Sequence, residues 1–227
     1  MTIKPILFNT EMVRAILDGR KTCTRRICKD ANEYTVPDME FYNADKRTYA
    51  VHNFADKKHT EQLSIAERTC PICPGDILYV RETWERFECW KCEGDERGNC
   101  PKEPKKSVLY KTCGCYMYRA TDEIYGDEKW HPSIHMPKEA ARIWLKVTDV
   151  KVERLQNIDG KGCVKEGIEE EPLKHVGEDF VKGMFHDLWD STINKSDIDR
   201  YGWGANPWVW VIEFERCKKP EEDKRCD

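Results

Sequence analysis

A chain of 227 residues, 39% hydrophobic and 35% charged, has room for one or two small globular domains. Its longest purely apolar run, Trp208-Val209-Trp210-Val211-Ile212, falls far short of the roughly 20 residues a membrane helix needs. A net charge of −4, from 38 basic and 42 acidic residues, argues against wholesale coating of a long polyanion, and a mean hydropathy of −0.78 points to long polar loops or insertions.

In chain order, Lys4 to Phe8 reads as a short strand. Asn9 or Thr10 then caps a helix over Glu11 to Asp18, with Met12, Val13, Ile16 and Leu17 on one face and Gly19 as the stop. Residues 31–69 are polar without a clear period and read as a long loop or an inserted subelement. Pro74-Gly75-Asp76 is turn chemistry, and Ile77 to Trp84 behind it is a strand. Residues 85–115 form a polar, cysteine-rich insertion, after which Tyr116 to Ala120 resumes a strand. Pro137 opens a short helix through Arg142. Alternation from Ile143 to Val147, extended by Val150 and Val152, predicts a strand, and Ile158 to Gly167 a short helix. Phe180, Met184 and Leu188 recur at helical spacing with Val181 and Phe185 beside them. Trp208, Trp210, Ile212 and Phe214 alternate in a last strand and are expected to face the core, ahead of a charged tail over 217–227. No repeated strand–helix unit of regular length occurs, so an α+β chain built on a small mixed β-barrel is expected.

The start Met-Thr-Ile-Lys-Pro shows no charged segment followed by an apolar one, so a cytoplasmic, reducing location is expected. Clustered cysteines there read first as metal ligands. Cys89-x-x-Cys92, Cys100 and Cys113-Gly114-Cys115 offer five candidates. Any four thiolates among them suit a closed, structural zinc site that orders the insertion. Cys70-x-x-Cys73 completes that site, forms a second one, or is no ligand at all. Residues 19–29 hold Arg20, Lys21, Arg25, Arg26 and Lys29 with no acid among them, a local patch that suits a small anionic or nucleotide ligand better than a long duplex.

At Gly19-Arg20-Lys21-Thr22-Cys23-Thr24-Arg25-Arg26 the chain resembles the ASCH-domain family, relatives of the PUA RNA-binding fold, whose loop signature is G-x-K-x-x-E-x-R. Gly19, Lys21 and Arg26 match, and Thr24 stands where many members carry Glu. Pro74-Gly75-Asp76 with Val80-Arg81-Glu82-Thr83-Trp84 resembles the family's second strand. His131 to Pro137, and Tyr201-Gly202-Trp203 with Asn206 to Val211, resemble ASCH proteins of bacteriophages and prophages. The likeness implies one ASCH-type, PUA-like barrel over 1–216, with insertions at about 31–69 and 85–115.

The loop form Gly-Arg-Lys-Thr-x-Thr-x-Arg is similar to that of small bacterial amidohydrolases that release acetate from N4-acetylcytidine. The resemblance implies Lys21, Thr24 and Glu166 as the catalytic set, with Glu169 and Glu170 as alternatives to Glu166. Such chemistry needs a nucleophile, a proton acceptor and a stabilised oxyanion. Thr24 is the candidate nucleophile and Lys21, its pKa depressed by burial or by neighbouring arginines, the base. Three residues apart, the two are expected on one side of a tight turn. Glu166 would orient Lys21, while the Arg26 guanidinium or a backbone N–H would face the oxyanion. Arg20, Arg26, Arg81, Glu82 and Trp84 are the candidate substrate contacts, and Arg81 with Glu82 reads equally as a strand ion pair. Trp84 or Tyr201 at a barrel mouth would stack on a pyrimidine. The expected partner is a modified nucleoside or RNA; no protein partner is implied. Two other functions remain open: a non-catalytic RNA- or modified-nucleotide-binding module, and a ribonuclease.

Overall fold

The computed structural model describes residues 1–31, 33–88, 114–123 and 129–220. In chain order the elements are β1 (Ile3–Leu7), α1 (Thr10–Leu17), β2 (Cys23–Ile27), β3 (Thr35–Asn43), β4 (Thr48–Phe54), β5 (Gln62–Thr69), β6 (Ile77–Arg81), β7 (Trp84–Glu88), β8 (Gly114–Tyr118), β9 (Trp144–Arg154), α2 (Gly160–Lys165), α3 (Glu171–His175), α4 (Glu178–Thr192), α5 (Ile198–Tyr201) and β10 (Trp208–Cys217). The architecture is α+β, with a sheet-rich core and mostly short helices. None of the described helices is long and apolar enough to cross a membrane.

The central sheet has the order β1-β6-β9-β10-β2. Strand β1 runs parallel to β6, and the remaining pairs are antiparallel. In backbone hydrogen bonds the sheet is open, with β1 and β2 as its edges. Side chains nevertheless link those edges, since Arg26 Nη2 donates to Leu7 O at 2.8 Å. On β10, Trp210, Ile212 and Phe214 lie in a core with Ile6, Phe8, Val80, Leu145 and Val147. Val209 and Val211 of the opposite parity are buried too, among Cys23, Leu155, Cys163, Phe185 and Trp189. Apolar residues at both parities mark a strand covered on both faces, here by α2 and α4 on the second. Trp208, at the start of β10, packs against the same core but is only half-buried, and Arg154 lies over its ring at 4.4 Å.

Helix α1 begins where Asn9 Oδ1 accepts from Met12 N at 2.9 Å, and the chain leaves it through Gly19 at φ +80°. Of the two readings of residues 31–69, a long loop or an inserted subelement, the second describes 35–69: β3, β4 and β5 form an antiparallel meander. Its middle strand seats Tyr49 and Val51 in the main core, with the Tyr49 ring edge-on to Trp210 at 4.8 Å. The expected single strand Ile77–Trp84 breaks after Arg81, and Trp84 starts a hairpin with β8. The expected helix over 137–142 is one 3-10 turn, Lys138–Ala140, opened by Pro137 as its N-cap, and a second such turn, Ser133–His135, precedes it. On α4 the buried stripe is Val181, Phe185 and Trp189, while Phe180 is 51% exposed. The core face lies one residue away from the stripe the spacing pointed to.

Candidate functional site

The loop after α1 is stitched to the end of α2 by three consecutive residues. Arg20 Nη1 donates to Gly167 O at 2.7 Å, Lys21 Nζ to Glu166 O at 2.7 Å, and Thr22 N to Lys165 O at 2.9 Å. Carbonyls at a helix C-terminus lack intrahelical partners, and cations satisfy them well. Gly167, at φ +105°, lets the chain turn there; a Cβ at this position would meet Ala15 Cβ at 3.0 Å. The turn delivers Glu166 inward, against Lys21.

Lys21 is 2% exposed and Glu166 3%. Lys21 Nζ donates to Glu166 Oε2 at 2.7 Å, and Arg25 Nη1 to Glu166 Oε1 at 3.2 Å. Arg25 Nη2 continues the network to Glu153 Oε1 at 2.7 Å. Burial lowers the Lys21 pKa, and Arg26 adds to the effect, although the Glu166 carboxylate opposes it. Arg25 holds its charge, because Glu166 and Glu153 outweigh the cost of burial and raise its pKa. Its Nε, however, is buried without a hydrogen-bond partner among the described residues.

This network forms part of the wall of a cavity of about 180 Å³ on the free edge of β2, between Met12 of α1 and Phe185, Leu188 and Trp189 of α4. Thr24, Arg25, Arg26 and Glu166 all line it. Phe214 N donates to Thr22 O and Cys28 N to Trp208 O, so even-numbered residues of β2 aim their backbone groups at β10. Alternation along an antiparallel ladder then turns the N–H of Arg25 to the free edge.

Thr24 and Lys21 do not share a tight turn. Thr24 is the second residue of β2, opposite Ile212, and Lys21 precedes the strand. Both Lys21 side-chain hydrogen bonds end on Glu166, and none reaches Thr24 among the described residues. Of the five expected substrate contacts, only Arg26 lines the cavity, with its guanidinium given to Leu7 O. Arg20 serves the stitch and pairs with Asp18. Arg81 Nε donates to Met136 O, so it is not the partner of Glu82. Glu82 is buried and takes a bidentate pair from Arg142, at 2.9 Å to each oxygen. Trp84 packs in a separate cluster against Tyr116 and His131. Arg25, with Glu153 behind it, is the site residue that sequence reasoning passed over as one more basic neighbour. The signal available was its parity: it shares a face of β2 with the buried Cys23.

Cys89, Cys92, Cys100 and Cys113 lie outside the described residues, and of Cys115 only the backbone, in β8, is described. Cys70 and Cys73 are buried thiols in the main core that donate to the carbonyls of Ile72 and Cys70. Burial pushes the Cys70 pKa up to about 12 in the metal-free protein. Among the described residues no group of three or more His, Cys, Asp or Glu is arranged to hold a metal ion. Compared with protein-family models, with curated proteins and with solved structures, the chain matches none.

Proposed function

We propose that the protein is an ASCH-like amidohydrolase that removes the acetyl group from N4-acetylcytidine or a related modified cytosine nucleoside. The observation that carries this reading is that Thr24 and Arg25 of β2 and Glu166, from the far end of α2, line one small cavity, with Lys21 outside the lining but hydrogen-bonded to Glu166. About 180 Å³ is small beside the ~300–1,000 Å³ of sites for drug-sized ligands, and suits one base with a short substituent. The order strand, helix, basic loop, edge strand also agrees with the ASCH resemblance, and the side-chain link between β1 and β2 is what a sheet curling towards a barrel needs.

In the proposed reaction Thr24 Oγ adds to the acetyl carbonyl and its proton passes to neutral Lys21 Nζ. The developing oxyanion is met by Arg25, through its unpartnered Nε–H and its outward backbone N–H. Collapse breaks the C–N bond, and the proton from Lys21 leaves on the cytosine amine. Water then hydrolyses the acetyl-Thr24 ester with Lys21 again as base, giving acetate. Glu166 positions Lys21 throughout and supplies the counter-charge when it is protonated.

A second reading, a module that binds modified bases without turning them over, is favoured by one observation: Lys21 spends both its side-chain hydrogen bonds on Glu166 and none on Thr24. Incubating the protein with N4-acetylcytidine and separating the products by chromatography distinguishes the two. Release of cytidine that disappears in Thr24→Ala supports the hydrolase; retained ligand with no product supports the binding module.

For the insertion over 85–115 we propose a structural zinc bound by four of Cys89, Cys92, Cys100, Cys113 and Cys115. The support is ligand type and spacing, and the closed four-thiolate set leaves no open position for chemistry.

A further inference from the structure

A second cleft, of about 590 Å³, opens where β2 has ended and β10 begins. It is distinct from the cavity on the edge of β2: Ile27 lines the first and Cys28 the second. Two buried nitrogens on its walls, Trp208 Nε1 and His59 Nδ1, have no hydrogen-bond partner among the described residues. Leaving a buried polar group unpaired is unfavourable, so two in one cleft point to hydrogen-bond partners supplied by a ligand, an acceptor for the Trp208 N–H and, in the tautomer protonated at Nδ1, for His59. His59 is also held at φ +56°, a conformation that non-glycine residues rarely adopt and that recurs at binding sites.

The charge around these nitrogens has a sign. Lys57 is paired with Glu33 at 3.0 Å. Arg154 and Arg200 remain, facing Asp199 as the other acid on the cleft wall. Arg154 lies over the Trp208 ring and donates from Nη1 to the neutral Asn206 O at 3.1 Å, with no ion pair among the described residues. Arg200 is exposed, with its guanidinium 5.0 Å from the Tyr201 ring centre. Guanidinium groups and N–H donors arriving from several directions match the oxygens of a tetrahedral phosphate better than a planar carboxylate. The Tyr201 ring on the same wall offers a face on which a base can stack.

We propose that this cleft binds a phosphate-bearing nucleotide unit. Its phosphate oxygens accept from Trp208 Nε1, His59 Nδ1 and the guanidinium groups of Arg154 and Arg200. The test is binding, measured by calorimetry with cytidine, cytidine 5′-monophosphate and a cytidine trinucleotide, and it needs no turnover. The monophosphate should bind ~tenfold or more tightly than cytidine, an advantage that shrinks as salt rises. Arg200→Gln removes an exposed charge, and Trp208→Phe removes the N–H while keeping a ring; each should erase most of that advantage and leave the thermal transition in place. Equal gains for monophosphate and trinucleotide identify a free nucleotide as the ligand, and a larger gain for the trinucleotide identifies a strand. Equal binding of cytidine and its monophosphate, or a double variant that binds the monophosphate as the parent does, overturns the proposal. Both variants should still hydrolyse uncharged N4-acetylcytidine if the protein does, so failure here is separable from failure of the hydrolase reading.

Discussion

Lys21 carries the sharpest consequence at the scale of single residues. A lysine buried to this degree pays for its charge, so its neutral form is reached at lower pH than in water. If neutral Lys21 accepts the Thr24 proton, kcat/KM should rise with pH along a limb centred below the ordinary lysine value of 10.5. Glu166 opposes the depression, so Glu166→Gln should move that limb to still lower pH while reducing turnover. A limb that stays in place in Glu166→Gln would show that another group sets the profile. Lys21→Arg keeps a cation that stays protonated and should lose at least ~100-fold in kcat, with Thr24→Ala as damaging. Circular dichroism should show both variants folded; full activity in Lys21→Arg removes the mechanism.

Among the elements, α4 offers the plainest test of which face is buried. Phe185 packs in the second core, lies 6.0 Å from the Arg25 guanidinium and lines the cavity. Phe185→Ala should cost about 3–5 kcal/mol in denaturant unfolding, whereas Phe180→Ser should stay within about 0.5 kcal/mol. The reverse order would put the stripe back on Phe180, Met184 and Leu188. The near miss has a physical reason: adjacent apolar residues at 180, 181, 184, 185, 188 and 189 leave the periodicity equally satisfied by two stripes. Strands β9 and β10 and helix α1 were legible because their apolar residues recur at the period of the element, and β1 and β6 as short apolar runs, the latter set off by the Pro74-Gly75-Asp76 turn. The meander was not, since β5 is exposed almost throughout and so presents no apolar face to detect. Within the site, Lys21 and Thr24 stood out through a local motif. Arg25 and Glu153 did not, because their role exists only once β2, β9 and the end of α2 have been brought together.

At the scale of the whole molecule, stability rests on β10, which is covered on both faces. Ile212 is 2% exposed and pairs with both Thr24 and Val150. Ile212→Asp would bury an unpaired carboxylate at a cost on the order of 5 kcal/mol, comparable to the ~5–15 kcal/mol that holds a domain of this kind together. The expected result is insoluble or uncooperatively unfolding protein; a sharp native-like transition would show the strand is less central than its neighbours imply. The cysteine-rich insertion is tested separately. The purified protein should contain about one zinc per chain. Cys89→Ser with Cys92→Ser should release the metal and expose new protease cuts between β7 and β8. Metal-free parent protein with the same digestion pattern as the variant ends the zinc proposal.

The contacts that stitch the basic loop to the end of α2 also set when, along the folding reaction, the cavity comes into being. Lys21 and Glu166 are 145 positions apart, Arg20 and Gly167 147, and Arg25 and Glu153 128. Closing loops of that length carries an entropic cost that local helices and hairpins avoid, so such contacts form late. After dilution from denaturant, far-UV ellipticity should therefore recover before ligand binding does, with the lag shared by every ligand of the cavity. Competence is the last property the refolding chain acquires, and a ligand that needs the completed cavity selects against every species that has stopped short of the native topology.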